Sequence, residues 1–565
     1  MQEKWWYGCI AYQIYPRSFQ DSNGDGIGDI RGIISRLDYL KALGVDIIWL
    51  SPVYPSPQVD NGYDISDYRA IGPEFGTMDD FKELLSCVHS RGMRLIMDLV
   101  VNHCSSEHEL FKKALADPQG EAGRCFYFVK GHGDGTPPDN LRSYFGGSVW
   151  ERVEGQDDLW YLHSFAREQP DLNWSNPEVI DRICSMMNWW LDLGIDGFRV
   201  DAIMNIAKDP SFPGLPPDEE GDGMCACGRM TAKLAAKAPA MLKAVRDRTY
   251  GPRGAFTVGE AFGLNSAVLS DIYGPDGAFS SIFDFTVREM FEKKPGYYAY
   301  GKPTLKLYRD GSFKGQELSM RVGMASIITE NHDEPRALSF YLRRDLQNAQ
   351  GAKALATAFL FLRGLPFIYQ GQELGMTKTD FKDPSELRDL LAKAEYEKCL
   401  AHGFSKEQAL ECVSLHTRDQ ARTPFPWDCS ENAGFTTGTP WIRLHQDWKT
   451  INARAELADP GSVLNWYRRL IAVRKSKEHG HCLSCGDFAP LPCPDDSFMA
   501  YKRYDGQEEI RVYANFSEKR IEARDSAEVI LSTGQVRRRG SVLELGPGAA
   551  AATSRKLLLS PASRP

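Results

Sequence analysis

Three things are scarce in this chain of 565 residues, and each scarcity removes a class of function. No apolar run is long enough to span a bilayer, and the N-terminus, Met1-Gln2-Glu3-Lys4-Trp5-Trp6-Tyr7, has no basic start followed by an apolar core. Neither a membrane anchor nor a secretory leader is therefore expected, and the expected location is cytoplasmic. Clustered cations are also missing, and the formal net charge is −9, which argues against a nucleic-acid surface because phosphate binding needs a concentrated basic patch. Cysteine is thinly spread, thirteen over the whole length and odd in number, in core-like segments such as those around Cys87 and Cys184, which suggests reduced thiols. Cys225 and Cys227 flank one alanine, and Cys482 and Cys485 form a CxxC preceded by His479 and His481. Neither cluster has a second pair at zinc-ligand spacing, so free thiols in a loop and at the start of a strand are expected.

What is present is a long chain with a repeating grammar. The length exceeds one compact core, so a large domain with smaller companions is expected. A strand at 9–16 is followed by a helix from Asp29 to about Leu43, with Ile30, Ile33, Ile34, Leu37 and Leu40 on one face, and then by a buried strand at 46–52. The unit repeats: Thr77 with Asp80 three residues on opens a helix, and residues 94–101 form the third strand. Asn176-Pro177 caps the helix before the fourth strand, and further strands fit at 255–260, 279–285, 326–333 and 365–369. Eight strands alternating with helices imply an α/β fold, a (β/α)8 barrel built from residues 1–103 and 175–477. Residues 104–174, rich in aromatics, Gly and Asp without helical period, are expected as a small inserted domain over the barrel mouth. A second insertion, 375–450, carries helical stretches at 384–402 and 405–413, and residues 478–565 alternate as a C-terminal all-β domain.

Three strands end on carboxylates: Asp201, Glu260 and Asp333. Arg199 and Asp201 stand two apart, so the period of a strand sends both to one face, where the guanidinium can hold the carboxylate ionised. One such pair alone would be a buried structural ion pair, but three carboxylates at the C-terminal ends of separate strands are what a glycosidase on such a barrel requires. A separate motif is Asp21-Ser22-Asn23-Gly24-Asp25-Gly26-Ile27-Gly28-Asp29. Asp21, Asn23, Asp25 and Asp29 put oxygen side chains at positions one, three, five and nine of a calcium loop, Ile27 offers its carbonyl at seven, and Gly26 stands at six. Position twelve is Gly32 in place of a bidentate Glu, so water or other residues must complete the shell. The expected ion is Ca2+, with Mg2+ as the alternative, in a structural role.

Four strings, Asp98-Leu99-Val100-Val101-Asn102-His103, Gly197-Phe198-Arg199-Val200-Asp201, Val258-Gly259-Glu260 and Asn331-His332-Asp333, resemble in order and spacing the signature regions of the α-amylase family, glycoside hydrolase family 13. Gln169-Pro170-Asp171-Leu172-Asn173, Asp60-Asn61-Gly62-Tyr63-Asp64-Ile65 and Arg418-Asp419-Gln420-Ala421-Arg422-Thr423-Pro424 are similar to its oligo-1,6-glucosidase and α-glucosidase branch. The resemblance implies Asp201 as nucleophile, Glu260 as general acid and then base, and Asp333 as stabiliser of the oxocarbenium-like transition state. It implies that His103 and His332 hydrogen-bond the sugar, and that Asp64 and Arg418 form an ion pair closing the pocket around the terminal glucose. Tyr63 is the candidate stacking platform, with Phe145 and Phe165 as further aromatics of that subsite. The expected partner is a small oligosaccharide and the expected state a monomer.

The chain departs from the family pattern after His103, at Gln372, at Phe425-Pro426 and at Ala202, which follows the nucleophile. These positions bear on the acceptor side of the site, where linkage preference is decided. Three other readings belong to the same resemblance: a sucrose isomerase, a phosphorylated-disaccharide hydrolase, and an inactive relative serving a transporter. The Arg-Leu-Asp-Arg-Asp string that isomerases resemble one another in is not found, and Leu342-Arg343-Arg344-Asp345 is the nearest look-alike. Intact carboxylates and the lack of an anchor disfavour the inactive reading.

Overall fold

The computed structural model describes residues 3–234, 236–263, 266–291 and 296–557, so the last eight residues of the expected C-terminal domain lie outside the described residues. Eight parallel strands form the central sheet: β1 (Ala11–Ile14), β2 (Ile47–Leu50), β3 (Arg94–Leu99), β4 (Gly197–Val200), β5 (Phe256–Gly259), β6 (Ser281–Ile282), β7 (Ser326–Ile327) and β8 (Leu365–Tyr369). Their order, β6-β5-β4-β3-β2-β1-β8-β7, runs around a cylinder, and a parallel bridge between Phe283 and Ser326 joins β6 to β7. The fold is a (β/α)8 barrel with a C-terminal β domain.

The period of two sorts the strand residues into two cores. Ala11, Ile47, Trp49, Ile96, Phe256, Val258, Leu365 and Phe367 pack together, with Trp6 joining them 5.2 Å from Phe256 at the N-terminal end. Their strand neighbours Tyr12, Ile48, Leu95, Met97, Phe198, Val200 and Ile368 belong to the larger outer core with the helices. Toward the C-terminal ends the same alternation continues with polar residues, Gln13, Asp98 and Arg199, each two residues beyond Ala11, Ile96 and Gly197. Apolar filling below and charge above put the chemistry at the top of the barrel.

Local signals explain most helix boundaries. Thr77 and Asp80 make both bonds of a capping box at Met78–Ser90, and Asn176 caps Pro177–Leu193. The single helix expected at 29–43 is instead two, Ile30–Ser35 and Leu37–Leu43. The break is at Arg36, whose guanidinium is held by Gln20 at 2.7 Å and lies 4.1 Å over Trp427. The stretch expected to be helical at 384–402 begins as a short turn, Pro384–Glu386, and becomes α-helix only at Leu390–Ala401, where Asp389 caps it.

The inserted segment after β3 carries a three-stranded antiparallel sheet of Phe128–Lys130, Leu159–Leu162 and Trp150–Arg152. Leu141–Arg142 pairs in parallel with Cys225–Ala226, so the loop after β4 is drawn onto this segment. Arg142 fastens it, binding Asp218 at 2.6 Å, Asp222 at 2.7 Å and Glu220 at 3.0 Å. The C-terminal sheets are antiparallel, five strands and three. Tyr501 and Arg503 dock the larger one on the barrel through the carbonyls of Ala358 and Phe361.

Candidate active site

Asp201 and Glu260 directly follow β4 and β5. Asp333 does not end a strand: β7 stops at Ile327, and Asn331 then turns the chain by accepting the amides of Asp333 at 2.7 Å and Glu334 at 2.8 Å. The strand expected at 279–285 is likewise only Ser281–Ile282.

Arg199 is the hub. It is fully buried, and its register neighbour on β3 is Asp98. Nη1 binds Asp201 Oδ1 at 2.6 Å and Asp98 Oδ1 at 2.8 Å, and Nη2 binds Glu260 Oε1 at 2.9 Å. One guanidinium cannot neutralise three carboxylates out of water, so the acids hold protons to higher pH. Burial pushes Glu260 up to about 7, with Arg199 opposing and Asp201 and Asp333 adding to the rise. Burial likewise raises Asp201 to about 6 against the pull of Arg199, and raises Asp98. Ala202, in the left-handed region at φ +47°, turns its amide onto Glu260 Oε2 at 3.0 Å.

Asp333 has the opposite environment. Burial works against its charge, but His332, Arg418 and Arg422 hold it well below the usual carboxylate range. Its Oδ1 receives Arg422 Nη2 at 2.7 Å and Arg418 Nη1 at 3.3 Å. Gln13 donates its amide to His332 Nδ1 at 2.8 Å, which places the ring proton on Nε2. Nε2 lies 3.0 Å from Asp333 Oδ2, so the ring backs that carboxylate. In His103, Nε2 lies 3.1 Å from the Tyr63 carbonyl and 3.0 Å from the Gln169 amide nitrogen, and Nδ1 faces the Asn102 amide at 3.2 Å, so both ring nitrogens are engaged by protein groups.

Tyr63 is brought to the centre, its ring parallel to His332 with centroids 5.2 Å apart and its hydroxyl donating to Asp98 Oδ2 at 2.8 Å. Phe165 packs on His103 and on Phe145, and Arg418 lies 5.2 Å over the Phe145 ring. These phenylalanines are half-buried at the edge of the same site.

The expected pairing of Asp64 with Arg418 is not what the structure contains. Asp64 is fully buried and accepts from the Ser56 hydroxyl and the amides of Val59 and Asp60, so it holds its own loop. The partner is Asp60, whose Oδ1 lies 3.0 Å from Arg418 Nη2. Arg418 also binds Asp389 at 2.6 Å, the residue that caps the helix after the second insertion begins. Asp60, Asp98, Asp389 and Arg422 were not singled out by the sequence reading, although Asp60, Asp98 and Arg422 lie inside strings that it used.

In the 21–29 loop, Asp21, Asn23 and Asp25 each accept the amide two residues on, and Asp21 also takes Gly24, Gly26 and the Thr436 hydroxyl. Asp29 receives Ser22 and caps the next helix through Gly32. The carboxylate oxygens of Asp21, Asp25 and Asp29 are not gathered within 4.8 Å of one another.

Comparison with known proteins accords with this geometry. The family described as the α-amylase catalytic domain matches residues 13–481. The chain belongs to the α-amylase family of glycoside hydrolases. Among family members, an oligo-1,6-glucosidase of Halalkalibacterium halodurans is 41% identical over 538 residues, covering 94% of each chain. A crystal structure of a trehalulose synthase mutant in complex with Tris superposes with a TM-score of 0.91 at 36% identity, covering 98% of this chain and all of that one. A mutant trehalose-6-phosphate hydrolase of Bacillus licheniformis has a TM-score of 0.90 at 36% identity, with the same coverage.

Proposed function

We propose that this family member is a retaining, exo-acting α-glucosidase that hydrolyses terminal α-1,6 bonds of short oligosaccharides, with α-1,4 bonds and sucrose as secondary substrates. The carrying observation is that one guanidinium holds both Asp201 and Glu260 while Asp333 faces them from its own cationic cradle. A shared anchor supports the short carboxyl spacing, about 5 Å, of the retaining mechanism.

Asp201 attacks the anomeric carbon as Glu260 protonates the departing oxygen, giving a glucosyl ester. Glu260, now ionised, then takes a proton from the water that cleaves that ester. Asp333, held ionised, stabilises positive charge on the sugar ring. Asp60 and Arg418 wall off the pocket, which favours entry of one terminal glucose. The lack of the Arg-Leu-Asp-Arg-Asp string supports hydrolysis over isomerisation.

The oxygen-only donor set of the 21–29 loop is of the kind that suits Ca2+, with Mg2+ as the alternative, and Asp21, Asn23, Asp25, the Ile27 carbonyl and Asp29 would hold such a structural ion. Thirteen free cysteines support a reducing, cytoplasmic setting, and the proposed state is a monomer. Asp201→Asn and Glu260→Gln should each abolish hydrolysis of isomaltose with the melting temperature retained. Substantial turnover by either pure variant would remove the assignment.

A further inference from the structure

The CxxC at 482–485 lies in a short helix, Gly480–Cys485, and not at the strand start expected for it. On that helix His481 and Cys485 stand four apart and project from one side. Glu3, ahead of Trp6 in the chain, reaches the same place, its Oε1 lying 3.3 Å from His481 Nε2. One ligand atom from each of Glu3, His481 and Cys485 lies within 4.8 Å of the other two. Asp505 Oδ2 meets Nδ1 of His481 at 2.6 Å, which fixes the ring and leaves the Nε2 lone pair toward Glu3 and Cys485 when the ring is neutral. Cys482 takes no part, since its thiol is directed to the Glu508 carbonyl at 3.7 Å.

We propose that Glu3, His481 and Cys485 form a zinc site, with Asp505 orienting the histidine and water filling the fourth position. Tetrahedral Zn2+ with these ligands sets its donor atoms about 3.5 Å apart, close to what Glu3 and His481 already have. A carboxylate, an imidazole and a thiolate suit borderline Zn2+ and not Ca2+ or Mg2+, which take oxygen. The exposed Glu3 and His481 side chains can close on an ion arriving from solvent. Binding releases the Cys485 proton to solvent while sulfur donates its pair to the metal, without any redox change. Burial and the adjacent Glu3 carboxylate keep that thiol protonated without metal, while Arg503 and Arg363 favour its thiolate. The ion staples the N-terminal segment to the junction of barrel and β domain.

The test uses the full chain, stripped by chelator and kept reduced, titrated with Co2+ and then with Zn2+. A single equivalent of Co2+ should raise a thiolate-to-cobalt charge-transfer band that Zn2+ removes. The 21–29 loop has no thiol and cannot produce this band. Cys485→Ser and His481→Gln should lose it, Cys482→Ser should keep it, and Asp505→Asn should weaken binding about tenfold. Absence of the band in the wild-type protein, its survival in Cys485→Ser, or its loss in Cys482→Ser overturns the proposal.

Discussion

The pH profile of kcat/KM should be a narrow bell, because both catalytic carboxyls titrate close together. Burial pushes Asp201 to about 6 and Glu260 to about 7, and the shared Arg199 opposes both shifts. Since the two groups sense each other, protons leave in two steps that belong to the pair. The active form carries one proton, on Glu260, with Asp201 ionised. Its population rises through the first step and falls through the second. The optimum therefore falls between the two steps, in the range from about pH 6 to about pH 7. The assay is initial-rate hydrolysis of nitrophenyl α-glucoside well below KM, from about pH 4.5 to about pH 9, a range that brackets both limbs of the bell. Glu260→Gln, given α-glucosyl fluoride whose leaving group needs no proton, should keep the acid limb and lose the alkaline one. An alkaline limb that survives the substitution, or a wild-type plateau several units wide, refutes the reasoning.

Other perturbations read other parts of the account. Asp60→Asn removes one of three carboxylates on Arg418 and leaves Asp389 and Asp333 in place, so kcat/KM on isomaltose should fall by about 10- to 100-fold, roughly 1–3 kcal/mol, with little change in melting temperature. An unchanged kcat/KM would contradict the closed wall. Chelation should lower the melting temperature more than the intrinsic rate, and a metal-free preparation with the same melting temperature would count against a structural ion in the 21–29 loop. Glu373, under the hydroxyls of Tyr12 and Tyr39, is raised by burial to about 7. Its contribution to stability is full below the unfolded value near 4.5 and is lost as pH rises through about 7, by about 3 kcal/mol. Glu373→Gln should therefore flatten the fall in melting temperature across that window, and equal slopes for variant and parent would sink the idea.

Elements with a local cause were legible in the sequence. The Thr77 and Asp80 capping box, the Asn176 cap and the alternation of inner and outer strand residues need only neighbouring side chains to be read. Arg199 and Asp201 were legible as a pair because both sit on one short strand. What escaped depends on distant contacts. Nothing in the apolar run 326–328 marks an end at Ile327, and the segment through 333 reads as strand although the chain turns at Asn331. Asp60 and Asp64 stand four apart in one loop, and only the fold reveals that loop amides consume Asp64 while Asp60 faces Arg418. Asp389, which holds the other side of that guanidinium, comes from an insertion far along the chain. Bridging of Phe283 to Ser326, which joins β6 to β7, has no local signal at all.

The most direct test of the central claim is to follow isomaltose hydrolysis by proton NMR and assign the anomer of glucose released from the non-reducing end before mutarotation. The reducing-end glucose leaves as the anomeric mixture it already was, so a double displacement through Asp201 predicts an initial excess of α-glucose over that mixture, decaying as the anomers equilibrate. An initial excess of β-glucose, or no turnover of isomaltose while maltose and sucrose are also left intact, would contradict it.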